Sequence, residues 1–216
     1  ASVNPLAHFQ STVDLQTAID APMVADPLNL YDSCPISDGA AVVVLAAPSA
    51  APAGAAAPDV RIRGVGVASD HLALQTRSCI HATAATARAA DQAFTDAALT
   101  PDAVDIAEVH DCFTIAEVLA LEALGFYAPG EALAAAGRGE TAAGGRLPTN
   151  LSGGLKAKGH PVGATGVSQI AELTKLLRGD HPASVAIETP EVGLAHNAGG
   201  TVATAVVHLL EVSEHG

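Results

Sequence analysis

The sequence predicts a layered α/β domain built around a mixed, buried sheet. Three observations carry this expectation. Val/Ile-containing runs of strand length alternate with helix-period segments at 83–98, 115–124 and 167–177. The runs at 185–189 and 202–210 are of Ala/Val type, the composition of strands covered on both faces. Hydrophobic residues make up 49% of the 216, enough for a substantial core at this length.

Each element follows from local chemistry. Residues 12–19 suit a short helix, which Pro22 and Pro27 then break because proline has no amide proton to donate. A turn at Ser37-Asp38-Gly39 leads into an expected buried strand at 40–45. The stretch 47–58 is Ala/Pro-rich, contains Gly54 and has no periodicity. The chain therefore divides into 1–47, a linker at 48–59 and a domain at 60–216. The domain opens with a strand at 60–67, where Val60 and Ile62 alternate with Arg61 and Arg63. An Ala-rich helix at 83–98 stops at Thr100-Pro101. A short strand at 106–109 precedes a helix at 115–124, with Ile115, Val118 and Leu119 on one face and Gly125 ending it. Residues 129–148 form a Gly/Ala-rich excursion without a core pattern. The helix at 167–177 places Val167, Ile170, Thr174 and Leu177 together, with Lys175 and Arg178 at its negative end and Gly179 beyond.

Composition excludes several classes of function. Ten Lys+Arg against 23 Asp+Glu give a formal charge of −13, which disfavours nucleic acid as a partner. Aromatics at 3%, with no Trp, leave little for stacking on bases. No run approaches the roughly 18 apolar residues of a membrane span. Three cysteines, an odd number, suit free thiols in a reducing compartment, and the expected location is cytoplasmic. The start, Ala1-Ser2-Val3-Asn4-Pro5, has neither Met nor a basic segment, and suits a chain cut in mid-protein better than a signal peptide.

Three clusters concentrate reactive residues at element ends. His110-Asp111-Cys112-Phe113 puts a thiol at the start of a helix, where the dipole and a nearby His favour thiolate. The plainer alternative is an inert core thiol with Asp111 as a helix cap. Residues 153–166, Gly-Gly-Leu-Lys-Ala-Lys-Gly-His-Pro-Val-Gly-Ala-Thr-Gly, suit close backbone approach to a ligand, with Pro161 presetting a helix start. A glycine turn with an incidental His160 is the alternative. His196-Asn197-Ala198-Gly199-Gly200 is expected in the turn between the last two strands, where His196 could donate to an oxyanion or simply be exposed. No metal is expected, because Cys-x-x-Cys and His-Glu-x-x-His spacings are missing. Cys34, Cys79, His71, His81, His208 and His215 have no supporting context.

In this order and spacing the clusters resemble the C-terminal half of thiolases. The likeness is strongest to the sterol-carrier-protein-2-type and archaeal acetoacetyl-CoA thiolases. It rests on HDCF at 110–113, NLSGGLKAKGHPVGATG at 150–166 and HNAGG at 196–200. Upstream, 35–41 is similar to the segment that closes the family's N-terminal half. The resemblance implies an α-β-α-β-α layered fold of two similar halves, with this chain the end of the first and all of the second. It places the nucleophilic Cys upstream of this chain. His160 would activate that Cys and help bind the thioester oxygen. His110 would replace the Asn of other thiolases in the same oxyanion site, and Cys112 would be the acid/base at the acetyl methyl. His196 would line the pocket, with Asn197 counted among the substrate-binding residues. Gly199 and Gly200 would leave room for the acyl group, while Ser152, Gly153 and Gly154 would border the pantetheine.

The implied substrates are coenzyme A thioesters, with no permanently bound cofactor, in a homodimer or tetramer. The implied reaction is Claisen condensation or thiolysis of a 3-ketoacyl-CoA. Two alternatives remain at this level: a thiolase-like steroid side-chain aldolase, and a non-catalytic half that binds acyl-CoA or an OB-fold/zinc-ribbon partner.

Overall fold

The computed structural model describes residues 4–50 and 59–213. Before the linker region it holds a five-residue helix α1 (Leu15–Ile19) and a small hairpin of β1 (Met23–Ala25) and β2 (Leu28–Asn29). The domain proper contains β3 (Val60–Ser69), α2 (Ala84–Ala97), β4 (Ile106–Glu108), α3 (Thr114–Ala123), α4 (Ala132–Gly137), α5 (Gly154–Ala157), α6 (Thr165–Arg178), β5 (Val192–Gly199) and β6 (Thr204–Val212). The linker expected at 48–59 lies mostly outside the described residues.

Four strands form one sheet in the order β3-β6-β5-β4. β6 pairs antiparallel with β3 and β5, and β4 pairs parallel with β5, so the sheet is mixed as expected. Strand alternation then sorts the side chains onto two faces. Ala205, Val207 and Leu209 of β6 and Leu194 of β5 join α2 and α3 in one core. Leu210, Ala195 and Ile106 turn the other way, onto Leu173, Leu176 and Leu177 of α6. The described residues thus make three layers, helix–sheet–helix.

The contact between α2 and β3 is unusually close because both surfaces are small. Gly64 and Gly66 of β3 lie against the backbone of α2 at Ala93 and Ala89, with no room for a Cβ. Ala85, Ala89, Ala93 and Ala97 supply the matching helix face, each at most 1% exposed. α2 also satisfies the free edge of the sheet: Asp96 accepts from Val65 N–H and Gln92 from Val67 N–H.

Several expectations need correction. Residues 40–45 form no strand: no neighbouring strand lies beside them among the described residues, and Val42 and Val44 are over 80% exposed. No strand forms at 185–189: Val185 and Ala186 end a 3-10 turn, Pro182–Ala186, set by Pro182 at its first position, and 187–189 are irregular. The real strand, β5, covers most of what reads as a turn at 196–200. The faces of two helices are rotated from those expected. α3 buries Ala120 and Leu121 while Ile115 is exposed, and α6 buries Thr165, Gln169, Glu172, Leu173, Leu176 and Leu177 while Val167 lies outward. The 129–148 excursion does reach the core, through Ala132, Ala135 and Leu147.

Candidate active site

β4 and β5 run parallel, with Glu108 opposite Ala195, so their carboxyl ends lie side by side. In an open α/β sheet this is where ligands bind. The chain leaves β4 through His110, Asp111 and Cys112, while His196 and Asn197 sit within β5. Asn197 Nδ2 lies 3.2 Å from His110 Nδ1. The loop before α6 brings His160 to the same place: its ring meets that of His110 edge-to-face, 5.0 Å between centroids at 90°. Residues 33–36 tie the two loops together. Ser33 pairs with Phe113 and Ile36 with His160, and Cys34 N–H donates to Cys112 C=O at 2.9 Å.

Burial keeps the imidazoles neutral. It lowers the pKa of His110 to about 4, helped by His160, and depresses His160 itself. His160 Nδ1 is 2.7 Å from Thr165 Oγ1, and that hydroxyl also contacts Pro161 C=O at 3.1 Å. A carbonyl can only accept, so both contacts are satisfied when Thr165 donates to Pro161 and His160 Nδ1–H donates to Thr165. The lone pair of His160 Nε2 is then free to take a proton.

His196 departs from its expected surroundings. It is a fully buried strand residue rather than an exposed turn residue. Its Nε2 is 3.0 Å from Thr86 Oγ1 of α2, and Nδ1 finds no partner among the described residues. Burial, with His110 nearby, lowers its pKa to about 3.

Cys112 also departs from expectation. Its thiol pKa is raised, first by burial and then by the neighbouring Cys34 and Asp111. The helix dipole does not prevail, because α3 starts only at Thr114 and the adjacent imidazole is uncharged. Asp111 is no helix cap. It is 3% exposed, and its Oδ1 accepts from Leu155 N–H at 2.7 Å. Burial, with Glu117 and Glu108 near, raises its pKa to about 7.

The glycine-rich loop is fixed by the same acidic group of residues. Ser152 is fully buried, and its N–H and Oγ both donate to Glu108. Gly153 and Gly154 follow with positive φ, +106° and +58°. A Cβ at Gly154 would collide with the Asp111 carboxyl. Gly199 faces open space, and Gly200, at φ +58°, turns the chain into β6. The structure therefore gathers His110, His160, Asn197 and the Cys112 loop, with His196 behind them. Ser152 to Gly154 sit on the Glu108–Asp111 side.

The site also uses residues that sequence reasoning missed. Gln169 of α6 is wholly buried and binds Asn197 Nδ2 through Oε1 at 3.1 Å. Its signal was available: it is a polar residue on the helix face that carries Leu173, Leu176 and Leu177. Thr86 gave no such signal within its Ala-rich helix. An open pocket of about 460 Å³ lies between 37–41 and 161–164, starting at Pro161, the residue after His160. A cavity of about 390 Å³ near Asp105 and Pro190 lies at the opposite, amino end of β4 and β5 and holds no Cys or His. No helix among the described residues is long and apolar enough to cross a membrane.

Comparison with known proteins places this geometry. Residues 66–212 match the thiolase C-terminal domain-like family. The chain is 46% identical over 209 residues to an acetyl-CoA acetyltransferase of Methanothermobacter thermautotrophicus, covering 97% of this chain and 54% of that protein. It is 38% identical over 180 residues to sterol carrier protein 2 of Gallus gallus, covering 82% of this chain and 33% of the relative. Among solved structures, the Ltp2-ChsH2(DUF35) aldolase superposes with a TM-score of 0.82 over 98% of this chain and 55% of its own, at 24% identity. The chain belongs to the thiolase family, with residues 66–212 matching its C-terminal domain. It spans about half the length of the archaeal relative.

Proposed function

We propose that this chain supplies the acid–base and oxyanion groups of a thiolase-type acyltransferase acting on acetyl-CoA and 3-ketoacyl-CoA. The observation that carries the reading is the convergence of His110, His160 and the Cys112 loop at the carboxyl ends of β4 and β5. The attacking thiolate belongs to a Cys outside this chain. In thiolysis that Cys takes the acyl group of the 3-ketoacyl-CoA as the carbon–carbon bond breaks, and acetyl-CoA leaves as its enolate. Cys112 then donates its proton to the enolate carbon, a role that suits a thiol held protonated by burial. His110 donates to the thioester oxygen as charge builds there. His160 takes the proton from the attacking Cys thiol; when the incoming coenzyme A thiol then attacks the acyl-enzyme, its proton restores Cys112 and His160 returns its own to the departing Cys. Condensation runs the same steps backwards.

Within this reading Gly153 borders the pantetheine while Ser152 and Gly154, buried against Glu108 and Asp111, shape the turn that presents it, and Gly199 and Gly200 border the acyl group. His110 separates it from the steroid side-chain aldolase alternative, which tends to carry Tyr there. The 216 residues alone are inactive, because neither Cys34 nor Cys79 lies in a nucleophile motif.

The test uses the intact protein with Cys112→Ala. Acetyl-CoA should still acylate it, as read by mass spectrometry, while carbon–carbon cleavage falls about 10²–10⁴-fold. Loss of acylation along with cleavage would make Cys112 the nucleophile or a structural residue. Full cleavage activity would remove it from the mechanism.

A further inference from the structure

We propose that Gln169 and Asn197 form an amide relay that holds His110 with its proton on Nε2, so that His110 meets the substrate as a hydrogen-bond donor. The positional role rests on the thiolase reading above; the tautomer itself does not.

The relay is anchored where orientation is not a choice. One end of the Gln169 side chain lies 2.9 Å from His196 C=O and 3.4 Å from Glu108 C=O. Both are backbone carbonyls and can only accept, so this end is the Nε2 amide. Oε1 must therefore point the other way, at 3.1 Å from the Asn197 amide. An acceptor there requires a donor opposite, so Asn197 presents Nδ2. Its second proton points at His110 Nδ1, 3.2 Å away. A nitrogen that receives a proton cannot carry one, so neutral His110 has its hydrogen on Nε2.

The two ends of the relay are withdrawn from water, while Asn197 between them is half-buried. Gln169 is 0% exposed and His110 is 9% exposed. The titratable groups near His110 are His160 of the loop before α6 and His196 of β5, and both are held neutral by burial. No carboxylate hydrogen-bonds to His110 among the described residues, so an amide rather than an acid sets its proton.

The consequence is a division of labour between two touching imidazoles. His110 is a fixed Nε2–H donor, while His160, with its proton on Nδ1, keeps Nε2 bare as a base. The Asn197–Gln169 pair prevents the two from exchanging roles.

The test reads the tautomer directly. In the intact protein labelled with ¹⁵N-histidine, His110 should show an acceptor-type Nδ1 and a proton-bearing Nε2. Its resonances are those lost in His110→Gln. An Nδ1-protonated His110 in the unaltered protein overturns the proposal without need of a variant. In Asn197→Asp the carboxylate can only accept, so the proton should move to Nδ1. Turnover should then fall about 10²–10³-fold, the usual loss for one oxyanion donor, while KM changes little. An Asn197→Asp protein that keeps Nε2–H also overturns it. If the tautomer is as stated but the intact protein shows no thiolase turnover, the relay stands and the functional reading fails.

Discussion

Asp111 shows how a buried carboxyl can weaken the fold that it organises. It holds Leu155 N–H and closes over Gly154, yet burial and the nearby Glu117 and Glu108 raise its pKa to about 7. A raised carboxyl pKa means that the folded chain binds the extra proton between the ordinary 3.8 and about 7. Its contribution is therefore intact below 3.8 and lost as pH rises through 7. Asp111→Asn keeps the acceptor for Leu155 and removes the charge. The variant should be more stable than the parent at pH 8, by an amount on the order of a few kcal/mol, and nearly equal to it only near pH 3, below the ordinary 3.8. Urea titrations at both values decide it; equal loss of stability at both would show that the carboxyl itself is needed, charge and all. None of this was legible in the sequence. Asp111 stands one residue from a helix start, where capping is the ordinary expectation, and only the tertiary approach of the 152–155 loop makes it a buried partner instead. The motif residues His110, Cys112, His160 and Asn197 were legible because each sits among residues that no core pattern explains. Gln169 was passed over because helix periodicity was assigned to the face of Val167 and Ile170.

At the level of elements, the sequence revealed helices better than strands. α2 and α6 appear close to where periodicity and stop signals put them, since caps and glycines act locally: Gly179 ends α6 at φ +75°. β5 was missed because Val-Gly-Leu-Ala-His-Asn-Ala-Gly has one β-branched residue. It is a strand because β4 and β6 pair with it on both sides. The residues at 40–45 show the converse, high β propensity with no strand to join. The closeness of α2 to β3 makes the next prediction. Gly66→Ala would push a methyl group into the Ala89 carbonyl, and helix and strand must separate. The expected loss is about 1–3 kcal/mol in a denaturant titration. Because Thr86 contacts His196 from the same helix, the shift should also reach His196 in a histidine spectrum. Gly137→Ala serves as the control: nothing lies within 4 Å of the added methyl, and its stability should be unchanged or slightly higher. Equal stability of the two variants would mean that α2 can move away freely.

Across the whole molecule, stability is unevenly distributed. The two cores draw only on residues after the linker region, from Val60 to Val212. In the segment 4–47, only Asn4 and Ala7 are buried, while Phe9, Leu15, Met23, Val42, Val44 and Leu45 are exposed. That segment is held chiefly by backbone contacts: His8 and Phe9 with 157–158, and 33–36 with the Cys112 and His160 loops. A unit with little buried apolar surface opens at low free energy, whereas the sheet and its covering helices open only with the whole domain. Hydrogen exchange on the 216-residue chain should therefore show three classes. Amides of β5, β6 and the buried side of α6 should exchange at the rate of global unfolding. Amides of 40–45 should exchange far faster, and those of 33–36, paired to Phe113 and His160, should fall between. This gradient bears on the site, because opening at 33–36 releases the tie between the Cys112 and His160 loops. Protection at 40–45 equal to that of β6 would show that the segment has found a partner surface of its own, such as a second copy of the chain. A fall in that protection on dilution would then identify the second copy.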